Sequence, residues 1–289
     1  EITGMSKIAF IFPGQGAQAC GMGKDFYEQT ETGKRIFDKA SELMGFSMPQ
    51  LCFEENDRLD ITEYTQAAMV TASIAMMRVL EENGIKPDVA AGLSLGEYCA
   101  LAAAGVMSDE DAIRTVRQRG ILMQEAVPVG EGAMAAILAL DASAIEEVTG
   151  AMEGVWIANY NCPGQIVISG EKAAVEDACE KLKAAGAKRA VMLNVSGPFH
   201  SGMLADAGEK LGEVLSQVEL HEPQIPYVAN VTAQYVKSAA EVKELLTRQV
   251  SSSVRWQQSV EAMIADGVDT FIEIGPGKTL AGFMRKISR

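Results

Sequence analysis

The sequence predicts an α/β fold, in which a small α+β domain is inserted into a larger domain with a parallel sheet. Short apolar segments alternate with helical periodicities along most of the 289 residues, which is typical of parallel strands joined by helices. A stretch of about 65 residues has the element order β-α-β-β-α-β, the ferredoxin-like pattern. We assign the large domain to residues 5–129 and 197–289 and the insertion to residues 130–196.

The composition is that of an ordered chain with a sizeable core. Apolar residues make up 48% and charged residues 22%, with nine prolines, which excludes a disordered chain. The net charge of −14 makes nucleic acid an unexpected partner. No segment has the length and apolarity of a membrane span, and no signal peptide is apparent, so we expect no membrane association. Residues 1–4 precede a methionine and are set aside as an expression remnant.

The cysteines indicate a reducing compartment. They are odd in number and scattered, without C-x-x-C spacing, which is typical of free thiols in a cytoplasmic protein and predicts no zinc site. The five are Cys20, Cys52, Cys99, Cys162 and Cys179.

The N-terminal part begins with a predicted strand at residues 7–12, followed by a glycine-rich loop at 14–23. The loop fits the G-x-G-x-x-G/A dinucleotide fingerprint, but the βαβ unit with an acidic residue about 20 positions later is missing. We interpret it instead as a loop that brings backbone N–H groups to a neighbouring site, with that of Gln15 as a candidate oxyanion donor. Helices are predicted at residues 24–45 and 62–83.

The motif Gly92-Leu93-Ser94-Leu95-Gly96 lies between a predicted strand at residues 89–91 and a predicted helix at 97–104. Strand, tight turn, serine and helix form the context of the nucleophile elbow of α/β-hydrolase-like domains. In that context Ser94 is a candidate nucleophile, and the N–H of Leu95 is a candidate oxyanion donor. The alternative is an ordinary βα turn in which Ser94 caps the helix.

A helix is predicted at residues 108–126, with an S-x-x-D capping signal at its start. Arg114, Arg117 and Arg119 lie on it. From spacing alone, each arginine is interpreted as a solvated surface charge.

The inserted domain follows. Its predicted strands are residues 133–140, 155–161, 165–169 and 188–195, and its predicted helices are residues 141–152, with Asp141 as cap, and 171–185. Glycines 130 and 132 and the segment Ser196-Gly197-Pro198 are the expected crossings between the domains.

The C-terminal part returns to the large domain and holds both histidines. Helices are predicted at residues 203–218, 241–249, 256–265 and after 278, and strands within 223–230 and at 271–274. His200 follows a constrained loop at the domain crossing, whereas His221 lies in a polar stretch, so we favour His200 as the base for Ser94. No acidic residue flanks His200, which favours a Ser-His dyad over a triad.

Several motifs occur in a family-specific order. They are FPGQGAQ (12–18), GLSLGEY (92–98), Arg119-Gly120, NYNCPGQIVISG (159–170), SGPFHS (196–201), Gln249 with Val254-Arg255-Trp256, and EIGPG (273–277). In this order, the chain from Met5 to its end resembles malonyl-CoA:acyl carrier protein transacylases. The same fold serves as the acyltransferase domain of polyketide and fatty-acid synthases.

The resemblance implies a role for each matching residue. Ser94 would be the nucleophile and His200 the base, with the Gln249 carbonyl orienting His200. Arg119 would bind the malonyl carboxylate, and Phe199 would mark a malonyl-type pocket. The N–H groups of Gln15 and Leu95 would form the oxyanion hole.

The reaction implied is a ping-pong transfer for fatty-acid biosynthesis. Malonyl-CoA and CoA would be substrate and product, with no bound cofactor. Acyl carrier protein would be a transient partner of a monomeric enzyme. Five basic residues are candidates for docking it, with ordinary surface charge as the alternative: Lys188, Arg189, Arg285, Lys286 and Arg289.

Two departures and three rival functions accompany this interpretation. Leu93 stands where the family usually has His, and Ser253 where Pro is common.

A hydrolase or thioesterase would use the same dyad, a non-catalytic docking module would need no reactive serine, and a polyketide enzyme would share all of the chemistry. A carboxylate clamp at Arg119 distinguishes malonyl transfer from hydrolysis of plain acyl chains.

Overall fold

The elements are described for residues 6–195 and 197–288 of a computed structural model. The first part forms β1 (Ile8–Phe12), α1 (Lys24–Gln29), α2 (Glu31–Met44), α3 (Met48–Phe53), α4 (Thr62–Glu82), β2 (Val89–Gly92), α5 (Glu97–Ala103) and α6 (Asp109–Glu125). The middle part forms β3 (Gly132–Leu138), α7 (Ala142–Gly150), β4 (Val155–Cys162), β5 (Gln165–Glu171), α8 (Lys172–Ala184) and β6 (Arg189–Met192). The last part forms α9 (Ala205–Leu215), β7 (Tyr227–Val228), β8 (Tyr235–Val236), α10 (Val242–Gln249), β9 (Val254–Arg255), α11 (Trp256–Ala265), β10 (Thr270–Glu273) and α12 (Thr279–Ile287). Single 3₁₀ turns cover Ser94–Gly96, Gly202–Leu204 and Ala239–Glu241.

The first sheet has the strand order β10-β1-β2-β7-β8 and is parallel except for the last pair. Every residue of β2 and the last four of β1 are buried, because helices cover both faces of the sheet. Phe12 pairs with Gly92, so β1 and β2 end at the same level. The loops holding Gln15 and Ser94 therefore begin side by side at the carboxyl edge, where ligands bind in open α/β sheets.

The second sheet has the order β6-β3-β5-β4-β9, and its first four strands are antiparallel. With α7 and α8 packed on it, this is the predicted ferredoxin-like arrangement. It has a core cluster of its own, which includes Ile137, Ile168 and Leu182. The predicted fold class is confirmed, while the exact domain limits stay a prediction.

Strand β9 comes from the C-terminal part and pairs in parallel with β4 of the second sheet. The sequence analysis did not predict it, because a strand of two residues is too short for an alternating pattern. Strand β8 was missed for the same reason. Helix α3 was missed because six residues are too few to show a helical periodicity. Residues 250–255, just after Gln249, therefore tie the small sheet to the last part of the large domain.

Local capping signals explain some of the helix limits. The Ser108 side chain accepts a hydrogen bond from the Asp111 N–H, as its capping motif predicts. The helix predicted at 24–45 is instead two helices, since Thr30 is extended and caps α2 through Gly33 N–H. Asp141 is the N-cap residue of α7, as predicted, although its side chain makes no capping hydrogen bond.

Candidate active site

Ser94 lies in a strained turn directly after β2. Its φ of 53° is left-handed, which is rare for a residue with a side chain. A Cβ on Gly92 would come within 1.9 Å of the Gly96 carbonyl, and one on Gly96 within 2.2 Å of the Phe12 oxygen. Both glycines of the motif are therefore needed for the turn to pack against β1.

His200 meets Ser94 across the site. Its Nε2 lies 2.6 Å from Ser94 Oγ, and its Nδ1 lies 2.8 Å from the main-chain oxygen of Gln249. Because a carbonyl only accepts, Nδ1 must donate to it, and a neutral imidazole then accepts the Ser94 proton at Nε2. His200 also has a left-handed φ of 58°. The two residues favoured from sequence are thus adjacent, and no third acidic residue is needed to fix the imidazole.

Burial keeps His200 in its neutral form. The side chain is 4% exposed, and desolvation, followed by the positive charge of Arg119, lowers its pKa from 6.5 to about 4. The hydrogen bond to Gln249 opposes this shift only in part. A base of this kind is unprotonated, and able to accept a proton, throughout the neutral pH range.

Arg119 lies on α6 and is 1% exposed, so the interpretation from spacing as a solvated charge is wrong for this arginine. Its Nη1 donates to Gln66 Oε1 at 2.8 Å, and its Nη2 donates to Gln249 Oε1 at 3.0 Å and Ser94 Oγ at 3.3 Å. Its Nε has no hydrogen-bond partner among the described residues. Burial lowers its pKa. Its guanidinium also lies over the Tyr98 ring, 5.6 Å from the ring centroid. A buried cation whose described hydrogen bonds all go to neutral oxygens provides a strong site for an anionic ligand.

The other arginines of α6 differ from Arg119. Arg114 is exposed and pairs with Asp111 and Glu110, which matches the surface interpretation. Arg117 instead lies over the rings of Phe46 and Tyr64, where its role is packing.

The candidate oxyanion donors lie on the same cleft as the dyad. Gln15 follows β1, and its side chain donates to Thr62 Oγ1 at 2.8 Å. Leu95 lies in the first turn after Ser94, where N–H groups have no acceptor within the helix. The cleft measures about 820 Å³ and is also lined by Phe199, which is 7% exposed. Its opposite wall is the small sheet, including Asn159, Asn161 and Gln165.

Two residues at the site were missed by the sequence analysis. Asn230 Oδ1 accepts from the Ser94 N–H at 2.7 Å, and its Nδ2 donates to Gly92 O at 2.7 Å. Glu97 is 1% exposed and accepts hydrogen bonds from Asn230 N–H and Gln249 Nε2. Glu97 could have been found from the sequence, because an acidic residue at the start of an apolar helix is unusual. Asn230, a single Asn after a short strand, gives no such signal.

The structure also places His221, Leu93 and Ser253, which the sequence analysis discussed. His221 is exposed and lies 3.8 Å from Glu219, away from Ser94. Leu93 lines the cleft next to the nucleophile. Ser253 donates through Oγ to the Ile157 carbonyl of β4, so the loop after Gln249 is tied to the small sheet by a bond that proline could not make.

The described part of the chain contains neither a cluster of metal ligands nor a membrane-spanning helix. Across residues 6–195 and 197–288, no three His, Cys, Asp or Glu side chains converge as metal ligands. None of the helices in that part of the chain has the length and apolarity to cross a bilayer. All five cysteines are unpaired, and only Cys20 is exposed.

Comparison with known proteins identifies the family. A family model described as "Acyl transferase domain" matches residues 9–287. The chain belongs to the acyl transferase domain family. It is 52% identical, over 99% of its length and 92% of the relative's, to the malonyl CoA-acyl carrier protein transacylase of Bacillus subtilis (strain 168). It is 43% identical, over 99% and 94%, to the protein of that name from Staphylococcus aureus (strain MRSA252).

Solved acyl transferase structures share its architecture. An acyl carrier protein S-malonyltransferase from Vibrio cholerae superposes with a TM-score of 0.95 at 44% identity, covering 98% of this chain and 94% of that one. A malonyl-transacylase in complex with a type II polyketide acyl carrier protein superposes with a TM-score of 0.94 at 43% identity, covering 98% and 93%. The resemblance inferred from the sequence motifs is thereby confirmed.

Proposed function

We propose that this acyltransferase moves the malonyl group of malonyl-CoA to the phosphopantetheine thiol of an acyl carrier protein. The observation that supports it best is the position of Arg119, a buried cation 3.3 Å from the Ser94 hydroxyl. A malonyl thioester ends in a free carboxylate a few bonds from its reactive carbonyl. A nucleophile beside an arginine suits that molecule better than a plain acyl chain.

In the first half-reaction, Ser94 Oγ attacks the thioester carbonyl and its proton passes to His200 Nε2. The N–H groups of Gln15 and Leu95 stabilise the oxyanion, and Arg119 binds the distal carboxylate. The C–S bond then breaks, and the CoA sulfur takes the proton from His200. Gln249 O holds the imidazolium through Nδ1 during this step.

In the second half-reaction, the carrier thiol gives its proton to His200 and attacks the malonyl ester. Ser94 leaves and recovers the proton, so the enzyme returns to its starting state without a bound cofactor. Phe199 limits the space beside the malonyl methylene. Water would give hydrolysis at the same step, which is the rival function.

The carrier docks beside the cleft, and basic side chains are the expected contacts because the chain as a whole carries a charge of −14. Lys188, Arg189, Arg285 and Lys286 are exposed, while Arg289 lies outside the described residues. We assign the enzyme to fatty-acid biosynthesis as a cytoplasmic monomer; use with a polyketide carrier would involve the same steps.

The test is intact-protein mass spectrometry after brief mixing with malonyl-CoA. The wild type is expected to gain a malonyl adduct that disappears on adding carrier protein, whereas Ser94→Ala gains none. Release of CoA without an adduct, and without loading of the carrier, would establish a hydrolase. Carrier binding with no reaction at all would establish a docking module.

Docking is tested separately by reversing charge at Lys188 and Arg189. The KM for carrier protein is expected to rise while acylation by malonyl-CoA stays unchanged. An unchanged KM would remove these two residues from the docking surface.

A further inference from the structure

Glu97 is a buried acid beneath the nucleophile that the proposed mechanism does not use. It begins α5, three residues after Ser94, and its carboxylate has no lysine or arginine within 4 Å among the described residues. Its Oε1 accepts from Asn230 N–H and from Gln249 Nε2, both at 3.1 Å, and its Oε2 has no partner in the described chain. A buried carboxylate without a paired cation is costly, so its presence at this position needs a reason.

The contact between Glu97 and Gln249 is one of three that fix which way that amide points. An ionised carboxylate only accepts hydrogen bonds, so the amide directs its NH₂ group toward Glu97. The same NH₂ donates to Ser94 O at 2.8 Å and to Asn230 Oδ1 at 3.2 Å, and of these three acceptors only Glu97 carries a charge. The amide oxygen therefore faces the opposite way, where it accepts from Arg119 Nη2 at 3.0 Å. A reversed amide would place NH₂ against a guanidinium, donor against donor.

Arg119 has few other restraints at that end. Besides Gln249, the one hydrogen-bond partner of its Nη2 among the described residues is Ser94 Oγ, at 3.3 Å; its Nη1 is held by Gln66, and its guanidinium lies over the Tyr98 ring. The charges of Glu97 and Arg119 also favour each other's ionised form. Removing the acid would thus take the one charged acceptor from the Gln249 amide and weaken the hold on the guanidinium fork.

We propose that Glu97 is a positioning residue for carboxylate recognition, which acts through the Gln249 amide to hold Arg119 in the orientation that selects malonyl over uncharged acyl groups. This rests on the proposed function. Glu97 does not touch the substrate. Its effect is on selectivity, because an acyl group without a carboxylate gains nothing from a correctly oriented Arg119.

The experiment measures selectivity as a ratio. The enzyme is mixed with equimolar malonyl-CoA and acetyl-CoA, and the ratio of the two Ser94 adducts is read by intact-protein mass spectrometry. A ratio does not depend on the fraction of folded protein, so poor folding of a variant does not imitate the effect. For Glu97→Gln, which keeps the volume but replaces the charged acceptor of the Gln249 NH₂ by a neutral amide, we expect the malonyl-to-acetyl ratio to fall about tenfold.

Two further variants complete the test. Leu182→Ala, in the separate core of the small sheet, destabilises the protein away from the site and is expected to keep the wild-type ratio. Arg119→Ala is expected to lower the ratio strongly. Adding Glu97→Gln to Arg119→Ala is expected to change the ratio no further, because an effect that passes through Arg119 vanishes with it.

The outcomes separate the two proposals. A wild type that shows no preference for malonyl overturns the proposed function. A wild type that prefers malonyl, with an unchanged ratio in Glu97→Gln, overturns the positioning role alone. So does a further tenfold fall in the double variant, since Glu97 would then act by a route independent of Arg119.

Discussion

Protonation of His200 in the native protein is expected near pH 4. Its side chain is buried, and its pKa is lowered from 6.5 to about 4 by desolvation first and by the charge of Arg119 second. A fall in the pKa from 6.5 to about 4 corresponds to about 3 kcal/mol. Because the native pKa is depressed, this contribution to stability is present above pH 6.5 and is lost as the pH falls through about 4.

Proton NMR measures this directly, because the chain has only two histidines. We expect two imidazole Cε1–H resonances, of which the one from His200 titrates near pH 4. The variant His221→Ala removes the other resonance and assigns it. In the Glu97→Gln variant, where this second buried group no longer titrates, the rate of Ser94 acylation by malonyl-CoA should accordingly keep its plateau from pH 7 down to about pH 5, measured by rapid quench over that range.

A His200 titration at its ordinary pKa would refute this reasoning. It would mean that the imidazole is hydrated or that Arg119 lies farther from it than the structure places it. An acylation rate that falls with a midpoint at pH 6.5, despite a low His200 pKa, would instead show that another group limits the first half-reaction.

Three further predictions follow from the same contacts. Arg119→Ala is expected to slow acylation by malonyl-CoA about 100-fold, which corresponds to losing about 3 kcal/mol of charge-assisted hydrogen bonding. The same variant should raise the His200 pKa in the NMR titration. Unchanged acylation would exclude Arg119 as the carboxylate clamp. Gly96→Ala places a Cβ 2.2 Å from the Phe12 oxygen. It is expected to lower the free energy of unfolding, measured by urea denaturation, by about 3 kcal/mol or more. A loss under about 1 kcal/mol would show that the turn relaxes to accommodate the methyl group. Burial raises the pKa of Glu97 to about 7, so its contribution to the free energy of unfolding is present below pH 4.5 and is lost as the pH rises through about 7. Glu97→Gln should remove this pH dependence of stability. An unaltered pH dependence would place the titration in another group.

The sequence predicted the elements whose signal is local. The buried strands β1 and β2 and the turn at Ser94 follow from apolar runs and from glycines that only a tight turn requires. The cap at Ser108 is a four-residue pattern. The inserted domain was recognisable because its six elements occur in one continuous segment. Short strands such as β9 were missed, because their partners, not their residues, make them strands.

The site shows the same division between local and distant information. The Ser94 turn lies in one motif, yet the hydroxyl is useful only beside His200, 106 positions away. Choosing between two histidines was possible because there were so few. The burial of Arg119 could not be predicted from residue spacing, because its hydrogen-bond acceptors lie far away in the sequence. Gln66 lies on a helix 53 positions before Arg119, and Gln249 lies on a helix 130 positions after it.

Strain at the dyad explains why so many polar groups converge under it. Ser94 and His200 both have left-handed φ angles, each of which costs on the order of 1–3 kcal/mol. Side chains from other segments bond the Ser94 peptide on both sides, since Asn230 accepts from its N–H and Gln249 donates to its carbonyl. The main chain of Gln249 in turn holds His200. One residue thus restrains both strained members of the dyad as well as Arg119. Its amide is held in part by Glu97, so this buried acid supports the orientation of Arg119 without touching the cleft.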